Sequence, residues 1–166
     1  MFADTVVSNC TSAARGGGIY YEGGTFDRCT VVDCTSGTEG GGVCLLASAN
    51  MTLGVLRLAG NRATTDGGGL FVSGELTVGG CWLEGNRAEN GGGICVDGKA
   101  SFVDCVMTNN AATTKGGAVH PSAGSPSFER CDFLCNTASQ SAACSSLSTQ
   151  ALQFRCCRFV GNRANN

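Results

Sequence analysis

The residues of this sequence that could take part in chemistry are its carboxylates, its single histidine and its cysteines. Catalysis needs acids, bases or a nucleophile that converge, and polysaccharide lyases in particular use clustered carboxylates, often with calcium and an arginine. The candidate carboxylates are Asp27, Glu39, Asp66, Glu75, Glu84, Asp97, Asp104 and Asp132. They are scattered along the chain, and His120 has no evident partner. We therefore interpret the acids as charges on solvated turns and His120 as a surface residue, and we predict no catalytic residues.

The twelve cysteines show no spacing typical of a metal site. Their closest pairs are Cys131 with Cys135 and Cys156 with Cys157, and no Cys-x-x-Cys pair occurs. Without histidine partners these spacings do not fit zinc coordination. The sequence therefore predicts neither a metal nor any other cofactor.

One repeated unit positions all of these residues. Glycine clusters begin at Gly16, Gly40, Gly67, Gly91 and Gly116, at steps of 24, 27, 24 and 25 residues. A degraded copy begins at Ser141. Self-similarity at a nearly fixed period in the twenties is typical of a solenoid.

Aligned repeats produce columns of like residues. The polar column is Asn9, Cys34, Asn61, Asn86, Asn110, Asn136 and Asn162. Three residues earlier lies an apolar column of Val6, Val31, Leu58, Leu83, Met107, Phe133 and Phe159. Two residues before that lies a cysteine-rich column of Asp4, Cys29, Leu56, Cys81, Cys105, Cys131 and Cys157.

The spacing of these columns predicts short strands. A Cys-x-Phe pair has a period of two, which points both side chains to one face of a strand, and the apolar segments are too short for helices. Repeats stacked at the ~4.8 Å spacing of neighbouring strands form an all-β parallel β-helix of about six coils, with roughly 25 residues per coil. We expect residues 1–166 to form a single β-helix domain.

Two columns should run through the interior as ladders. We expect Asn61, Asn86, Asn110, Asn136 and Asn162 to occupy left-handed turns and to join their amides along the rod. The inward cysteine ladder is Cys81, Cys105, Cys131 and Cys157. Its members are either buried free thiols or disulfides that brace successive coils, and both interpretations stay open. Register points Cys10, Cys95 and Cys156 outward as candidate reactive thiols.

A candidate partner surface comes from alternation along the strands. Tyr20, Phe71 and His120 belong to the column directly after an inward aliphatic column, so this column should face outward. An apolar stripe on the outside of a rod suggests a partner, unless corner geometry turns the column inward or a loop covers it. Trp82 joins these candidates, since it could stack on a sugar ring or pack against Arg57.

Composition and charge exclude several classes of protein. The net charge is −2 and no basic cluster occurs, which argues against nucleic-acid binding. No apolar run approaches the ~20 residues of a transmembrane helix. A signal peptide is not evident, yet the many cysteines suggest an oxidising compartment, so we expect an excerpt of a longer secreted protein. A loop is expected at Ala47 to Asn50, where the sequon at Asn50 is more accessible than the one at Asn9.

Two alternating motifs resemble a known family. Phe133 and Phe159 begin Phe-x-x-Asn motifs, while Gly17, Gly68 and Gly116 begin versions of Gly-Gly-Ala-Ile/Leu/Val. Their alternation resembles the repeat region of the chlamydial polymorphic outer membrane proteins. The resemblance implies a single-stranded right-handed parallel β-helix that serves as the passenger of a surface protein, often an adhesive one. It implies an extracellular or cell-surface location, associated with the outer membrane in a bacterium, and no catalytic residues.

We therefore expect a non-catalytic adhesion or structural module. Its partner would be a protein or a glycan on another surface. One alternative is a β-helix enzyme that acts on glycans, which would require several carboxylates from adjacent coils to meet in a pocket. A second alternative is a self-assembling filament subunit, in which unpaired edge strands associate end to end.

Overall fold

The protein is a parallel β-solenoid, as the repeat predicts. The computed structural model describes residues 2–23, 25–46, 51–146 and 151–165. These residues form strands and turns without a helix, and the chain winds through about six turns. The all-β parallel β-helix prediction is thereby confirmed. The expected loop at Ala47 to Asn50, with its sequon, lies outside the described residues.

Three parallel sheets, one per side of each coil, form the walls of the rod. Sheet A contains β1 (Phe2–Ala3), β4 (Ile19–Tyr21), β5 (Thr25–Asp27), β8 (Val43–Leu46), β9 (Met51–Leu53), β12 (Leu70–Gly79), β15 (Ile94–Val103), β18 (Val119–Ala123), β19 (Ser127–Glu129) and β22 (Gln153–Arg155). Sheet B contains β2 (Val6–Ser8), β6 (Cys29–Val32), β10 (Leu56–Ala59), β13 (Trp82–Glu84), β16 (Val106–Thr108), β20 (Asp132–Leu134) and β23 (Arg158–Val160).

The third wall consists of shorter strands. Sheet C contains β3 (Thr11–Ser12), β7 (Thr35–Ser36), β11 (Arg62–Ala63), β14 (Arg87–Asn90), β17 (Ala111–Lys115), β21 (Thr137–Ala138) and β24 (Arg163–Ala164). Each coil runs from sheet A to sheet B and then to sheet C. The described residues contain no helix that is long and apolar enough to cross a membrane.

The core is a set of stacked columns that the strand register aligns. Leu58 pairs with Leu83, which pairs with Met107, and all three are fully buried. Aromatic rings stack in the same way, with ring centroids of Phe102 and Phe128 5.1 Å apart. Because strands of neighbouring coils lie ~4.8 Å apart, identical inward residues contact each other from coil to coil.

Two corners of each coil share one backbone design. At the cysteine corner, between sheets A and B, a residue with positive φ precedes the inward residue, as Asp104 (φ 55°) precedes Cys105. At the asparagine corner, between sheets B and C, Asn109 (φ 55°) precedes Asn110 in the same way. The left-handed residue turns the chain and the next side chain points into the core.

The third corner, between sheets C and A, contains the glycine clusters. Gly67 has a φ of +67°, and a Cβ on Gly68 would clash with the carbonyl oxygen of Gly92 in the next coil. Glycine is therefore required here by backbone conformation at one position and by close approach of two coils at the next.

Three details of the predicted register were wrong. The ladder asparagines do not adopt left-handed conformations, since the residue before each of them does. In the first coil, Val7 pairs with Val31, so Val7 packs against the core while Val6 is exposed. The same shift places Cys10 rather than Asn9 beside Cys34, and Cys10 packs against the core instead of facing outward. Asn9 holds the left-handed position instead (φ 55°).

A candidate ligand groove on sheet C

The asparagine ladder is a continuous chain of buried amides. The Oδ1 of Asn86 accepts from the backbone N–H of Asn61 at 3.0 Å and from its Nδ2 at 3.1 Å. The Nδ2 of Asn86 donates to the carbonyl oxygen of Leu58 at 3.0 Å. The pattern continues through Asn110 and Asn136 to Asn162. These bonds replace strand hydrogen bonds that the corner interrupts, so the ladder is structural.

The cysteine ladder is buried and unlinked. Cys81, Cys105 and Cys131 are nearly inaccessible and Cys157 is partly buried. All twelve cysteines lie in described residues, and all are free thiols in this structure. The pKa of Cys131 is raised, first by the thiol of Cys105 in the neighbouring coil and then by burial. A thiol with a raised pKa forms little thiolate at neutral pH, so Cys131 is poorly suited to redox or metal chemistry.

The predicted partner surface does not form one surface. Tyr20 is 44% exposed on sheet A and Trp82 is 45% exposed on sheet B. Phe71 and His120 are buried, at 5% and 7% exposure, so the prediction was wrong for these two residues. His120 instead places its Nδ1 2.6 Å from the hydroxyl of buried Ser145.

Phe71 is buried because it belongs to a second, smaller apolar cluster outside sheet A. Phe71 packs there with Cys44 and Cys95, and Leu46 packs against them. Burial raises the pKa of Cys95 to about 12, which also contradicts its prediction as a reactive outward thiol. These side chains form a cluster separate from the main core.

Trp82 lies beside Arg57 in the strand register, as the alignment predicts. The guanidinium of Arg57 nevertheless points toward Glu84, with the closest atoms 3.6 Å apart. Trp82 thus keeps an accessible ring on the outer face of sheet B.

Sequence reasoning missed a groove on the outer face of sheet C. The groove has a volume of about 420 Å³ and is lined by residues of three successive strands, β11, β14 and β17, and by Thr64, which follows β11. Ala63, Ala88 and Ala112 are among its lining residues and are nearly buried, and the more exposed residues that flank them along each strand form its sides.

The walls of the groove contain charged and hydroxyl groups. Arg62 and Arg87 are exposed register partners on β11 and β14. Thr64 and Thr113 contribute hydroxyls, and Glu89 contributes one carboxylate. The signal that could have found this site is the pair Arg-Ala at 62–63 and again at 87–88, in which an outward arginine adjoins an inward alanine.

The chemistry available to the groove is recognition of anions and hydroxyl groups. Guanidinium groups donate in a fixed planar fork that matches carboxylates, and threonine hydroxyls both donate and accept. In the described residues, no group of three or more histidine, cysteine or acidic side chains is placed to hold a metal ion. The site therefore resembles a polar binding surface built on a rigid parallel sheet.

The stacked parallel sheets, the asparagine ladder and the groove define a solenoid that displays side chains on its outer faces. The model of the right-handed β-helix region matches residues 2–133, which is more than half of the chain. The chain belongs to this right-handed β-helix family. No curated protein and no solved structure matches it.

Proposed function

We propose that the protein is a non-catalytic binding module of a cell surface or the extracellular space, of the type found in the polymorphic outer membrane proteins. The observation that carries this proposal is the sheet C groove, an open polar surface held by three rigid strands. The alternating Phe-x-x-Asn and Gly-Gly-Ala-Ile/Leu/Val motifs support the narrower family. The partner would be a protein or a glycan on another surface.

The groove favours binding over catalysis. Glycoside hydrolases use a pair of carboxylic side chains, one as acid and one as base or nucleophile. Glu89 is the one carboxylate among the residues that line the groove. Two arginines next to a single acid can orient a ligand, but they lack the pair of carboxylic side chains that hydrolysis of a glycosidic bond uses.

The test is adhesion of beads coated with the protein to cultured cells. We expect saturable attachment above that of albumin-coated beads, with inhibition by soluble protein in excess. Parallel incubation with polysaccharides should release no reducing ends and no unsaturated products. Attachment no better than albumin would contradict the binding function, and sustained turnover of a polysaccharide would establish the enzyme alternative.

A further inference from the structure

Trp82 projects from a flat part of the outer surface. It lies on β13 at the outer face of sheet B and is 45% exposed. Gly79 and Gly85 flank this strand without side chains, and within the described part of the chain a Cβ on either glycine would meet no atom within 4 Å. Tryptophan is among the residues that most often anchor protein interfaces. Sheet B therefore presents an aromatic projection that a recess on a partner could receive.

Two opposite charges accompany Trp82 on the same face. Arg57 is its register partner in the preceding coil, and Glu84 follows two residues later on β13. The closest guanidinium and carboxylate atoms of these two residues are 3.6 Å apart, and their side chains are 50% and 44% exposed. Such a long and exposed pair contributes little to stability, so both charges stay available to a partner.

The sheet C groove has the same arrangement of residues, with arginine in place of tryptophan. Arg62 and Arg87 are register partners, and Glu89 follows Arg87 by two residues on β14. All three residues line the groove and are exposed. On both faces the spacing is ~4.8 Å between coils and ~6.6 Å between alternate residues of a strand.

The two faces complement each other in charge. On each face, an arginine of one coil lies diagonally from a glutamate of the next coil. Because the chain winds in the same direction through both sheets, crossing two rods at roughly a right angle brings the two diagonals together. Glu84 of one rod then lies opposite Arg62 of the other. Arg57 lies opposite Glu89 in the same arrangement, and such complementary charges favour association.

The same arrangement places Trp82 opposite Arg87. A planar guanidinium can stack on an indole ring, which adds a cation–π interaction to the two ion pairs. Sites that hold small-molecule ligands begin at ~300 Å³, so a groove of about 420 Å³ can admit an indole ring. Shape and charge therefore agree on one partner face.

We propose that the partner of the sheet C groove is a second copy of this chain, which inserts Trp82 into the groove. The contact is heterologous, since it joins sheet B of one copy to sheet C of the other. Copies displayed on two surfaces would join those surfaces through it. This inference rests on the proposed binding function, and it adds the partner and the residues that the partner contributes.

The experiment is a concentration series of the full chain, followed by sedimentation velocity and by tryptophan fluorescence. Trp82 is the one tryptophan of the sequence, so the emission reports on its surroundings alone. We expect larger species at higher concentration, together with a shift of the emission to shorter wavelength as the ring leaves water. High salt should weaken the association, because it screens the ion pairs. A monomer at every concentration, or oligomers with unshifted emission, would overturn the inference.

Two variants test the two faces separately. Trp82→Ala keeps the groove and lacks the ring, while Arg62→Gln/Arg87→Gln keeps the ring and lacks the guanidinium groups. Each variant alone should associate at least tenfold more weakly than the parent protein, as expected when an anchor residue is lost. Mixed together they should form a heterodimer, in which the ring of the arginine variant enters the intact groove of Trp82→Ala.

Fluorescence makes the mixing experiment decisive. Trp82→Ala contains no tryptophan, so adding it to the arginine variant should shift the emission of that variant alone. A mixture that behaves as the sum of its parts would contradict the heterologous contact. If the arginine variant does not fold, Ala111→Glu replaces it, because Ala111 lines the groove as the register partner of Arg87 and a carboxylate there would engage that guanidinium.

Tyr20→Ala provides the matched control. Tyr20 is 44% exposed on sheet A, so its removal deletes a similar aromatic surface and should leave the association within twofold of the parent protein. Equal losses in Tyr20→Ala and Trp82→Ala would overturn the assignment to sheet B. Coated beads that adhere to cells while the chain in solution stays monomeric would refute this inference and leave the proposed function standing.

Discussion

The asparagine corner and the cysteine corner are built on the same backbone and differ in the chemistry of one side chain. At both, a left-handed residue turns the chain and the next residue points inward. At both, that inward side chain donates to a carbonyl oxygen of the preceding coil, from Nδ2 of Asn136 to Met107 at 2.9 Å and from the thiol of Cys131 to Phe102 at 3.4 Å. The geometry is shared, whereas the strength of the bonds is not.

This difference in hydrogen bonding determines how each corner contributes to the stability of the protein. An amide offers a strong donor and a strong acceptor, and each ladder asparagine uses both with its neighbours. A thiol is a weak donor and a weak acceptor. It also donates to a carbonyl two residues earlier in its own coil, as Cys105 does to Val103 at 3.3 Å. The asparagine corner should therefore dominate stability, while the cysteine corner should make stability depend on pH.

The largest effect should follow from Asn86→Ala. The change leaves the backbone N–H of Asn61 and the carbonyl of Leu58 without their partners in a buried site. At ~1–3 kcal/mol for each unsatisfied buried group, we expect the free energy of unfolding to fall by about 4 kcal/mol, measured by urea denaturation. Asn90→Ala, at a half-buried position on sheet C, provides the control and should cost less than about 1 kcal/mol. If Asn86→Ala and Asn90→Ala lose equal unfolding free energy, the asparagine corner does not dominate stability.

Alkaline pH should destabilise the protein through the cysteine corner. The hydrogen bond with the thiol of Cys131 lowers the pKa of Cys105, but the thiol of Cys81 and burial outweigh it and leave that pKa at about 12, above the ordinary value of 9.0. Below pH 9 this contribution is fully present. Between pH 9 and about 12 the unfolded chain loses a proton that the folded chain retains, so stability falls by about 1.4 kcal/mol per pH unit, or nearly 3 kcal/mol by pH 11.

The measurement is urea denaturation in reductant from pH 7 to 11. Cys131 should add to the loss, since its pKa is also raised. The free energy of unfolding of Cys105→Ala should fall less steeply with rising pH than that of the parent protein, because one thiol with a raised pKa is removed. A stability profile that is flat above pH 9 would show that these thiols are not held protonated by the fold.

Cys105→Ala at neutral pH should have a smaller effect. It removes one buried sulfur and its weak hydrogen bonds and leaves a small cavity, for which we expect a cost of about 1 kcal/mol. The matched variant Asn86→Cys installs at one corner the side chain of the other, and it should be more stable than Asn86→Ala and less stable than the parent protein. A Cys105→Ala cost as large as that of Asn86→Ala would make the two corners equivalent.

The smallest effect concerns the left-handed residue that both corners use. Gly85 has a φ of +64° and open space around the site of a Cβ. Gly85→Asn should cost only a few tenths of a kcal/mol, because asparagine tolerates this conformation and Asn109 adopts it one coil later. Gly85→Val should cost more than about 1 kcal/mol, because a β-branched residue is strained there. Equal melting temperatures of the two variants would contradict a shared corner design.

The fold could be predicted because each position of the repeat must meet the same physical requirement in every coil. Inward columns must be apolar and of constant size, since each side chain contacts its copies above and below. The left-handed position was misassigned because asparagine is prone to that conformation as well as to ladder formation. Gly60 and Gly85, directly before Asn61 and Asn86, carried the correct signal.

The candidate site was less predictable, because exposure depends on what covers a strand. Alternation places Phe71 and His120 on the outer side of sheet A, but strand periodicity contains no information on a second layer. Burial lowers the pKa of His120, while the charge of Asp66 acts to raise it and the charge of Lys115 acts to lower it. The groove depends on the shape formed by three adjacent coils, which no single repeat contains.

The hydrogen bonds of all three sheets run parallel to the rod axis, since every strand pairs with its copy in the next coil. Tension applied along that axis would open these hydrogen bonds one coil at a time, because no strand must slide past another. Each opened coil frees about 25 residues, or roughly 80 Å of extended chain at ~3.3 Å per residue. Under mechanical load, the protein would therefore lengthen in steps of similar size, one coil at a time.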